Sequence, residues 1–435
     1  MIAHGFAGSR QLMEAFSLTL ARGGYRALAF DFEGHGRNPQ PMGGDVDAIE
    51  GTTARLVDET LRVVAAGRAA TGWTGPVALV GHSMASDVIV RAALADPGVG
   101  PLVAVSSFSG AITADAPERL LIVNGAWEPH LREEARRVLR LVEPTAEEGE
   151  TAVAGDVSRR AVAAPFVEHV GVLYSGETLR ETLNWLDDAY GRASATDRVA
   201  ATGPWIAGLL FGIVALSGAL AGLLREGPPP QPAPRRAVIV AALAPALIAP
   251  LVATQIRIDT LPVLVADYLA VHMAIYGALQ LAILYAAGAR LRRPRPSAIL
   301  FLLALGLGGF GFALDRYAAS FAPFGPRLPI LGAVALGAVV FMLADALAKE
   351  GGRAPFVRRA ALFLAFIASL VFAAWLDSER LLFLLVVLPV IVLFFLIYGL
   401  MGRWVALRAG PSSAGLALGL ILAWSIAASF PLFEA

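Results

Sequence analysis

The second half of the sequence is a series of long apolar segments, and this feature limits the possible folds more than any other. The segments lie at 204–224, 237–256, about 266–288, 297–314, 328–348, 357–376, 381–401 and 413–432. Most contain the ~20 residues that an apolar helix needs to cross ~30 Å of hydrocarbon. Because a helix satisfies its own backbone hydrogen bonds inside a bilayer, the pattern predicts a bundle of about eight transmembrane helices. The fourth segment is the shortest and contains the glycine-rich stretch Gly306 to Gly311, so the count depends on it most.

The composition agrees with a membrane protein and excludes several other classes. Hydrophobic residues make up 57% of the 435 residues and charged residues only 16%, whereas soluble domains average about 25% charged residues. Lysine plus arginine equals aspartate plus glutamate at 35 each, without a basic run, so nucleic acid is not an expected partner. The absence of cysteine excludes a disulfide framework, a cysteine metal site and a thiol nucleophile. The sequence contains no metal-ligand spacing and no phosphate-binding loop, and we expect neither a metal nor a cofactor.

The loops between the apolar segments differ strongly in positive charge. Loops 225–236, 289–296, 349–359 and 402–412 together contain 13 lysine and arginine residues, and the alternate loops contain only four, Arg257, Arg316, Arg327 and Arg380. Positively charged loops are retained in the cytoplasm. With eight spans, this pattern predicts that residues 1–190 and the carboxyl terminus lie on the extracytoplasmic side.

The residues before the first apolar segment mix charged and apolar side chains as a globular domain does. The change in composition predicts a globular domain over 1–190, a linker over 191–203 and a membrane domain over 204–435. A domain on the extracytoplasmic side needs a signal peptide or a signal anchor, and the sequence begins at Met1-Ile2-Ala3-His4 without either. We therefore expect the native protein to begin further upstream.

The strongest chemical signal is a short stretch around Ser83. An apolar run, Pro76 to Val80, leads into Gly81-His82-Ser83-Met84-Ala85, and a helical pattern continues to Ala95. A serine on such a strand-to-helix turn is held on a strained backbone with its hydroxyl exposed, as a nucleophile requires. Small residues two positions before and after the serine let the strand and the helix approach closely, and Gly81 and Ala85 fill these positions. The pattern G-x-S-x-A therefore indicates a nucleophilic serine, although the last position usually holds glycine.

Two further motifs precede this turn in the sequence. His4-Gly5-Phe6 has the form HG-x, and the strand-like run Tyr25 to Asp31 leads into a D-x-x-G-H-G loop, Asp31 to Gly36. In their order and spacing these motifs resemble the α/β-hydrolase superfamily over roughly residues 1–190. The resemblance implies an α/β-hydrolase fold with Ser83 as the nucleophile. It also implies an oxyanion hole formed by the backbone amides of Phe6 and Met84.

A serine nucleophile needs an imidazole to take its proton, and the imidazole needs a carboxylate to orient it. Four of the six histidines lie in the motifs or in an apolar segment, which leaves His130 and His169. His169 follows the apolar run Ala161 to Val167 and precedes a helical pattern over Gly176 to Tyr190, where the resembled family places its catalytic histidine. We predict that His169 is the base; otherwise it is an ordinary surface-loop histidine.

Two carboxylates are candidates for the third member of the triad. The run Arg119 to Pro129 resembles the family's strand and G-x-x-D turn that carry the acid, with Glu128 at the position usually held by aspartate. Glutamate is an accepted member of such triads, and the order Ser, Glu, His along the chain matches the family. Asp115, which follows the strand-like run Leu102 to Ser107, is the alternative acid.

Two features depart from the family pattern. The family normally has two strands before its HG-x turn, whereas His4 is almost the first residue here. Larger members insert a helical cap over the site, but only about a dozen residues separate the run ending near Ser107 from the run starting near Arg119. We therefore predict an α/β-hydrolase fold that is truncated at its amino terminus and uncapped, followed by an all-α transmembrane bundle.

The sequence favours a membrane-bound serine hydrolase that cleaves an ester, thioester or amide through an acyl-enzyme. The expected partners are a small-molecule, lipid or peptide acyl substrate and the membrane lipids, and the sequence does not indicate the oligomeric state. One alternative is an acyltransferase with the same nucleophile. Another, from a different class, is a transporter or signalling membrane protein with a hydrolase-like binding domain. The fold does not determine the substrate.

Four ionisable residues fall within or at the ends of the apolar segments: Asp267, His272, Asp315 and Asp345. Such residues are costly in a bilayer and often functional. The three aspartates lie near segment ends, which favours positions at the membrane interface. His272 lies deeper, and a single histidine that faces other helices favours a hydrogen-bonded packing role.

Overall fold

The computed structural model describes residues 1–45, 48–194, 196 and 198–434. The chain forms two compact units, one largely within Met1–Ala207 and the other largely within Gly208–Phe433. The first unit is built on a β-sheet and the second is helical.

The sheet of the first unit has seven described strands in the order β2-β1-β3-β4-β5-β7-β6. They are β1 (Ile2–Ala3), β2 (Ala29–Phe30), β3 (Val77–His82), β4 (Val99–Val105), β5 (Arg119–Gly125), β6 (Thr151–Ala154) and β7 (Val157–Ala164). Neighbouring strands pair in parallel except β6, which is antiparallel to β7. The carboxyl ends of the parallel strands therefore lie along one edge of the sheet, where open α/β sheets bind their ligands.

Helices cover both faces of this sheet. The described α-helices of the unit are α1 (Glu14–Arg22), α2 (Ala54–Thr71), α3 (Met84–Ala95), α4 (Pro129–Arg140) and α5 (Gly176–Ala189). Shorter helical segments lie at Arg10–Met13, Ile49–Thr53 and Gly171–Tyr174. Side chains of α2, α3 and α4 form one core cluster with one face of the sheet, and side chains of α1 and α5 form a second cluster with the other face.

Strand β5 shows why the strands are continuous apolar runs in the sequence. Leu120 and Ile122 belong to the core on one face of the sheet, and Leu121 and Val123 belong to the core on the other. Each of these four side chains is at most 3% exposed. Successive side chains of a strand point to opposite faces, so a strand that is covered on both faces needs an apolar residue at every position.

The predicted α/β-hydrolase fold is confirmed, with two local differences. Strand β2 covers only Ala29–Phe30 of the predicted run Tyr25 to Asp31. The sequence does not predict strand β6. A tight turn at Gly155, whose φ is 58°, joins β6 to β7. Such tight hairpin turns favour glycine because it adopts a positive φ without steric cost. Residues 106–118, between β4 and β5, contain no helix or strand, in agreement with an uncapped domain.

After residue 202, the described part of the chain contains eight helices that are long and apolar enough to cross a membrane. They are span 1 (Gly203–Ala221), span 2 (Arg235–Ala253), span 3 (Ala266–Ala286), span 4 (Pro296–Tyr317), span 5 (Arg327–Ala348), span 6 (Phe356–Leu376), span 7 (Leu384–Ala409) and span 8 (Pro411–Ser429). The predicted count is confirmed, in agreement with a multi-pass membrane protein. In span 4 the glycine-rich stretch forms a π-helix, Ala304–Gly311, that continues the helix.

Glycine residues allow three spans to pack closely. A Cβ atom at Gly337 of span 5 would overlap the carbonyl oxygen of Ala270 in span 3. A Cβ atom at Gly419 of span 8 would lie 2.5 Å from the Cα atom of Val339 in span 5. Helices in a bilayer associate through such small-residue contacts, because lipid is as apolar as their larger side chains. Spans 3, 5 and 8 therefore form a closely packed centre of the bundle.

His272 is the deepest of the four ionisable residues singled out in the spans, and it has two polar partners. Its Nδ1 lies 2.9 Å from the Tyr268 hydroxyl, and its Nε2 lies 3.0 Å from the Ser369 hydroxyl. These two contacts agree with a hydrogen-bonded packing role for His272.

At the end of span 5, a carboxylate oxygen of Asp345 lies 2.7 Å from the ammonium group of Lys349.

Candidate active site

Ser83 lies on the turn between β3 and α3. Its backbone has φ 53° and ψ −118°, a combination that residues other than glycine rarely adopt. Gly81 permits the turn, because a Cβ atom there would lie 2.5 Å from the carbonyl oxygen of Ala85. The turn places Ser83 at the carboxyl edge of the sheet and at the amino end of α3.

The HG-x turn lies directly against Ser83. A Cβ atom at Gly5 would be 2.9 Å from both Ser83 Cβ and His82 Nδ1, so the approach requires glycine. His4 is fully buried and holds this turn. Its Nε2 accepts a hydrogen bond of 3.1 Å from the Phe32 amide, and its Nδ1 donates one of 2.8 Å to the Gly5 carbonyl oxygen. Burial lowers the pKa of His4, which keeps the ring neutral, as these two roles require.

Phe6 and Met84, the predicted oxyanion-hole residues, belong to the two turns that meet at Ser83. Met84 is the first residue of α3, so its amide has no acceptor within that helix. Phe6 follows Gly5, and its ring packs edge-on against His35 with 5.6 Å between the ring centroids. The structure brings both residues next to Ser83, and their oxyanion role stays a prediction.

Ser83, His169 and Glu128 are joined by two short contacts. His169 Nε2 lies 2.9 Å from Ser83 Oγ, and His169 Nδ1 lies 2.6 Å from Glu128 Oε1. The three residues follow β3, β7 and β5, so three different strands position them. The side chain of His169 is 45% exposed, whereas that of Glu128 is only 7% exposed. In this arrangement a histidine can take a proton from serine while a buried carboxylate fixes its tautomer.

The second carboxylate oxygen of Glu128 is held from the other side. Oε2 accepts hydrogen bonds of 2.8 Å from the Ser106 hydroxyl and 2.5 Å from the Gly125 amide. Burial raises the pKa of Glu128, but the hydrogen bonds from His169, Gly125 and Ser106 outweigh burial and leave the pKa below its usual value. Glu128 is therefore an ionised carboxylate at neutral pH. Sequence reasoning did not identify Ser106, and its only signal is its position directly after β4.

The other residues considered for the triad lie elsewhere. Asp115 is exposed in the connection between β4 and β5, and its charge acts on the nearby guanidinium of Arg159. His130 is exposed at the start of α4. Among the described residues, neither is hydrogen-bonded to Ser83 or to His169.

His82 joins the serine turn to the loop of His169. Its side chain is almost fully buried, and its Nε2 lies 2.8 Å from the carbonyl oxygen of His169. Because a carbonyl oxygen only accepts, Nε2 of His82 carries the proton and donates. Burial, with repulsion from His169, lowers the pKa of His82 to about 4, so the ring is neutral at pH 7. Sequence reasoning placed His82 in the motif without assigning it this contact.

A cavity of about 560 Å³ in the first unit lies away from this cluster. Its lining includes Ile2 of β1, Val77 of β3, Tyr25, Trp73 and Arg192. These residues lie toward the amino ends of the strands, whereas Ser83 lies beyond a carboxyl end. We therefore do not assign the cavity to the chemistry at Ser83. Within the described residues, no group of three or more histidine, aspartate or glutamate side chains is placed to hold a metal ion.

Comparison with known families identifies the fold of this unit. Residues 1–144 match the model of a family described as Serine aminopeptidase, S33. The first part of the chain has the α/β-hydrolase fold. The match supports hydrolase activity for this domain, and the matched region includes Ser83 and Glu128 but ends before His169. A search of curated proteins and a search of solved structures each found no significant match.

The buried, neutral His82 should make the hydrolase domain less stable in acid. An unfolded histidine binds a proton as the pH falls through about 6.5, whereas His82 in the folded domain does so only at about 4. Between these values the unfolded state binds more protons, so stability falls as the pH falls, by up to roughly 3 kcal/mol. We expect His82→Gln, which keeps a donor for the His169 carbonyl oxygen, to reduce this loss.

Hydrogen–deuterium exchange of the full-length protein in nanodiscs measures this effect without requiring activity. Peptides from β3 and β5 should lose more protection between pH 7.0 and pH 4.5 in the wild type than in His82→Gln, after correction for intrinsic exchange rates. The exposed histidine variant His130→Gln is the matched control and should behave as the wild type. An identical pH response in wild type and His82→Gln would contradict the assignment.

Proposed function

We propose that the α/β-hydrolase domain cleaves an ester, thioester or amide through an acyl-enzyme on Ser83, with His169 as the base and Glu128 as the residue that orients His169. The observation that carries the proposal is the pair of contacts from Ser83 to His169 and from His169 to Glu128, at 2.9 and 2.6 Å. A strained serine, an accessible imidazole and a buried ionised carboxylate are not needed for packing. Their meeting at the carboxyl edge of the sheet favours chemistry.

Each step of the proposed reaction uses a group whose position is described above. His169 Nε2 takes the hydroxyl proton while Ser83 Oγ bonds to the acyl carbon, and the same proton then passes to the leaving group as its bond to that carbon breaks. Water next attacks the acyl-enzyme and gives a proton to His169, which returns it to Ser83 Oγ as the acid leaves. Glu128 stays ionised and accepts the hydrogen bond from His169 Nδ1. The amides of Phe6 and Met84 donate to the oxyanion.

The proposed reaction takes place on the extracytoplasmic side of the membrane. The support is the distribution of positive charge over the loops, with 13 lysine and arginine residues in one set of alternate loops and four in the other. With eight spans, the positively charged set is cytoplasmic and the hydrolase domain faces outward.

Fluorophosphonate labelling of the full-length protein in membranes tests the activated serine. We expect the wild type to be labelled and Ser83→Ala to be unlabelled, because the reagent bonds only to a serine with an adjacent base. Ser17→Ala, in which a half-buried serine of α1 is changed, is the matched control and should label normally. A folded wild type that is not labelled would remove the enzyme proposal and favour a binding role for the domain.

The same reagent in a membrane-impermeant form tests the side of the membrane. Labelling of intact cells is the expected result. Labelling that appears only after permeabilisation would place the hydrolase domain in the cytoplasm, and it would leave the proposed chemistry at Ser83 unchanged.

A further inference from the structure

We propose that the hydrolase domain acts on substrates with a long, uncharged acyl chain, which lies along a row of apolar side chains at the carboxyl edge of the sheet. This apolar row consists of Phe6, Met84, Phe108, Trp127 and Phe166. The inference rests on the proposed function, because the long acyl chain is part of the acyl group that Ser83 attacks.

The sheet topology places the five residues of the apolar row side by side. Each follows the end of a different strand by three residues or fewer: Phe6 after β1, Met84 after β3, Phe108 after β4, Trp127 after β5 and Phe166 after β7. These strands are consecutive neighbours in the sheet. Because neighbouring strands are spaced by roughly 4.8 Å, the row extends over about 19 Å of the sheet edge.

The apolar row presents a large hydrophobic surface to solvent. Phe108 is 65% exposed, Trp127 64% and Phe166 81%. An aromatic side chain has a surface of roughly 150–250 Å², so these three residues together expose on the order of 400 Å². Single exposed apolar residues are ordinary, but a hydrophobic patch of this size is often a functional surface.

Phe166 supports the inference because an unusual backbone conformation holds its ring in solvent. It has a φ of 61°, which is rare for an aromatic residue, yet its side chain is the most exposed of the row. A left-handed backbone costs free energy in a residue other than glycine, and here it leaves the ring in solvent. A ligand that covers the ring accounts for its exposed position.

The apolar row is continuous with the catalytic residues. Met84 follows Ser83, and Trp127 precedes Glu128. The Trp127 amide donates a hydrogen bond of 3.1 Å to the carbonyl oxygen of Val167, in the loop that carries His169. With no helix or strand in residues 106–118, that connection supplies no cap over the row. An acyl group bound to Ser83 therefore has apolar contacts on neighbouring strand ends.

Carboxylates near these strand ends already have hydrogen-bond or ion-pair partners. The ammonium group of an aminoacyl substrate requires a carboxylate partner. Glu33 pairs with Arg55 and Asp87 with Arg91, each at 2.7 Å. The carboxylate of Glu168 accepts two backbone amide hydrogen bonds of 2.8 Å in its own turn. The five side chains of the apolar row are themselves uncharged, so an uncharged acyl chain can contact them without leaving a charge unpaired.

A series of p-nitrophenyl esters tests the inference with the full-length protein in lipid nanodiscs. A methylene group that is fully buried raises affinity about fourfold, and a chain covered on one side gains about twofold per methylene. We therefore expect kcat/KM for the decanoate ester to exceed that for the butyrate ester by roughly 50-fold. The p-nitrophenyl ester of alanine should be a poorer substrate than decanoate.

Variants of the apolar row separate a binding role from a structural one. Phe108→Ser and Phe166→Ser should each lower the ratio of kcat/KM for decanoate to that for butyrate by about tenfold, and Phe→Leu changes at the same positions should retain most of the ratio. Trp73→Ser is the matched control, because Trp73 is also exposed, at 52%, but lies away from the carboxyl edge. This control should leave the ratio unchanged.

The outcomes distinguish the acyl-chain inference from the proposed function. Equal kcat/KM values for butyrate and decanoate, or a preference for the alanine ester, would overturn the inference and leave the serine hydrolase intact. If ester turnover is too slow to follow, the rates at which fluorophosphonates with short and long alkyl chains label Ser83 give the same comparison. Absence of both turnover and labelling would overturn the proposed function and the inference together.

Discussion

Changing His169 to alanine should lower kcat for the best ester substrate by about 10⁴- to 10⁶-fold, with little change in KM. The reason is that His169 Nε2, 2.9 Å from Ser83 Oγ, is the only described base bonded to that hydroxyl. Without it the serine must lose its proton to water. KM should stay close to the wild-type value, because the substrate contacts with the apolar row do not involve the imidazole of His169.

A double variant tests whether His169 and Ser83 act in the same catalytic mechanism. Residues that act as one catalytic unit are strongly non-additive, so Ser83→Ala with His169→Ala should be about as slow as either single variant. His130→Ala, a change of an exposed histidine in α4, is the control and should keep full activity. If His169→Ala retained a tenth of the wild-type kcat, another group would have to be the base.

Features that depend on a few neighbouring residues could be predicted from the sequence. The turn at Ser83 requires small residues at positions 81 and 85, because strand and helix approach within van der Waals distance there. The apolar spans follow in the same way from the length of a helix in a bilayer. Both are local constraints, so both features can be predicted from a single sequence.

The surroundings of Glu128 depend on contacts between distant parts of the chain. Ser106 reaches its carboxylate because β4 and β5 pair in a register that aligns Val105 with Val123. The sequence indicates that both strands exist, but it does not contain their register. The contact between His82 and the His169 carbonyl oxygen joins residues 87 positions apart, and it cannot be predicted from the sequence for the same reason.

The apolar row shows a similar limit. Each of its members is an ordinary hydrophobic residue in its own loop, and nothing in the spacing of Phe108, Trp127 and Phe166 sets them apart. They become a row only through the strand order β4-β5-β7. The same holds for the bundle, where hydropathy indicates the spans, but the contact of Gly337 with Ala270 depends on which spans are neighbours.

Glu128→Gln should lower kcat by about 10³- to 10⁴-fold, less than the loss of Ser83 or His169. Glutamine has nearly the same shape, but it carries no charge to stabilise the protonated His169. Its amide group can also donate to Nδ1 and hold the imidazole in the wrong tautomer, with the proton on Nε2. The measurement is kcat on the same ester as for His169→Ala, together with hydrogen–deuterium exchange to show that the domain remains folded.

Asp115→Asn is the decisive comparison, because Asp115 is the other carboxylate that the sequence allows. It is exposed and interacts with Arg159, so its loss should leave kcat within about twofold of the wild type. Ser106→Ala should fall between the two changes at about tenfold, since it removes one of the hydrogen bonds that hold Glu128. The order Glu128→Gln, Ser106→Ala, Asp115→Asn is a stronger test than any single variant: a larger loss in Asp115→Asn than in Glu128→Gln would mean that the contact of Glu128 with His169 is not the one used in catalysis.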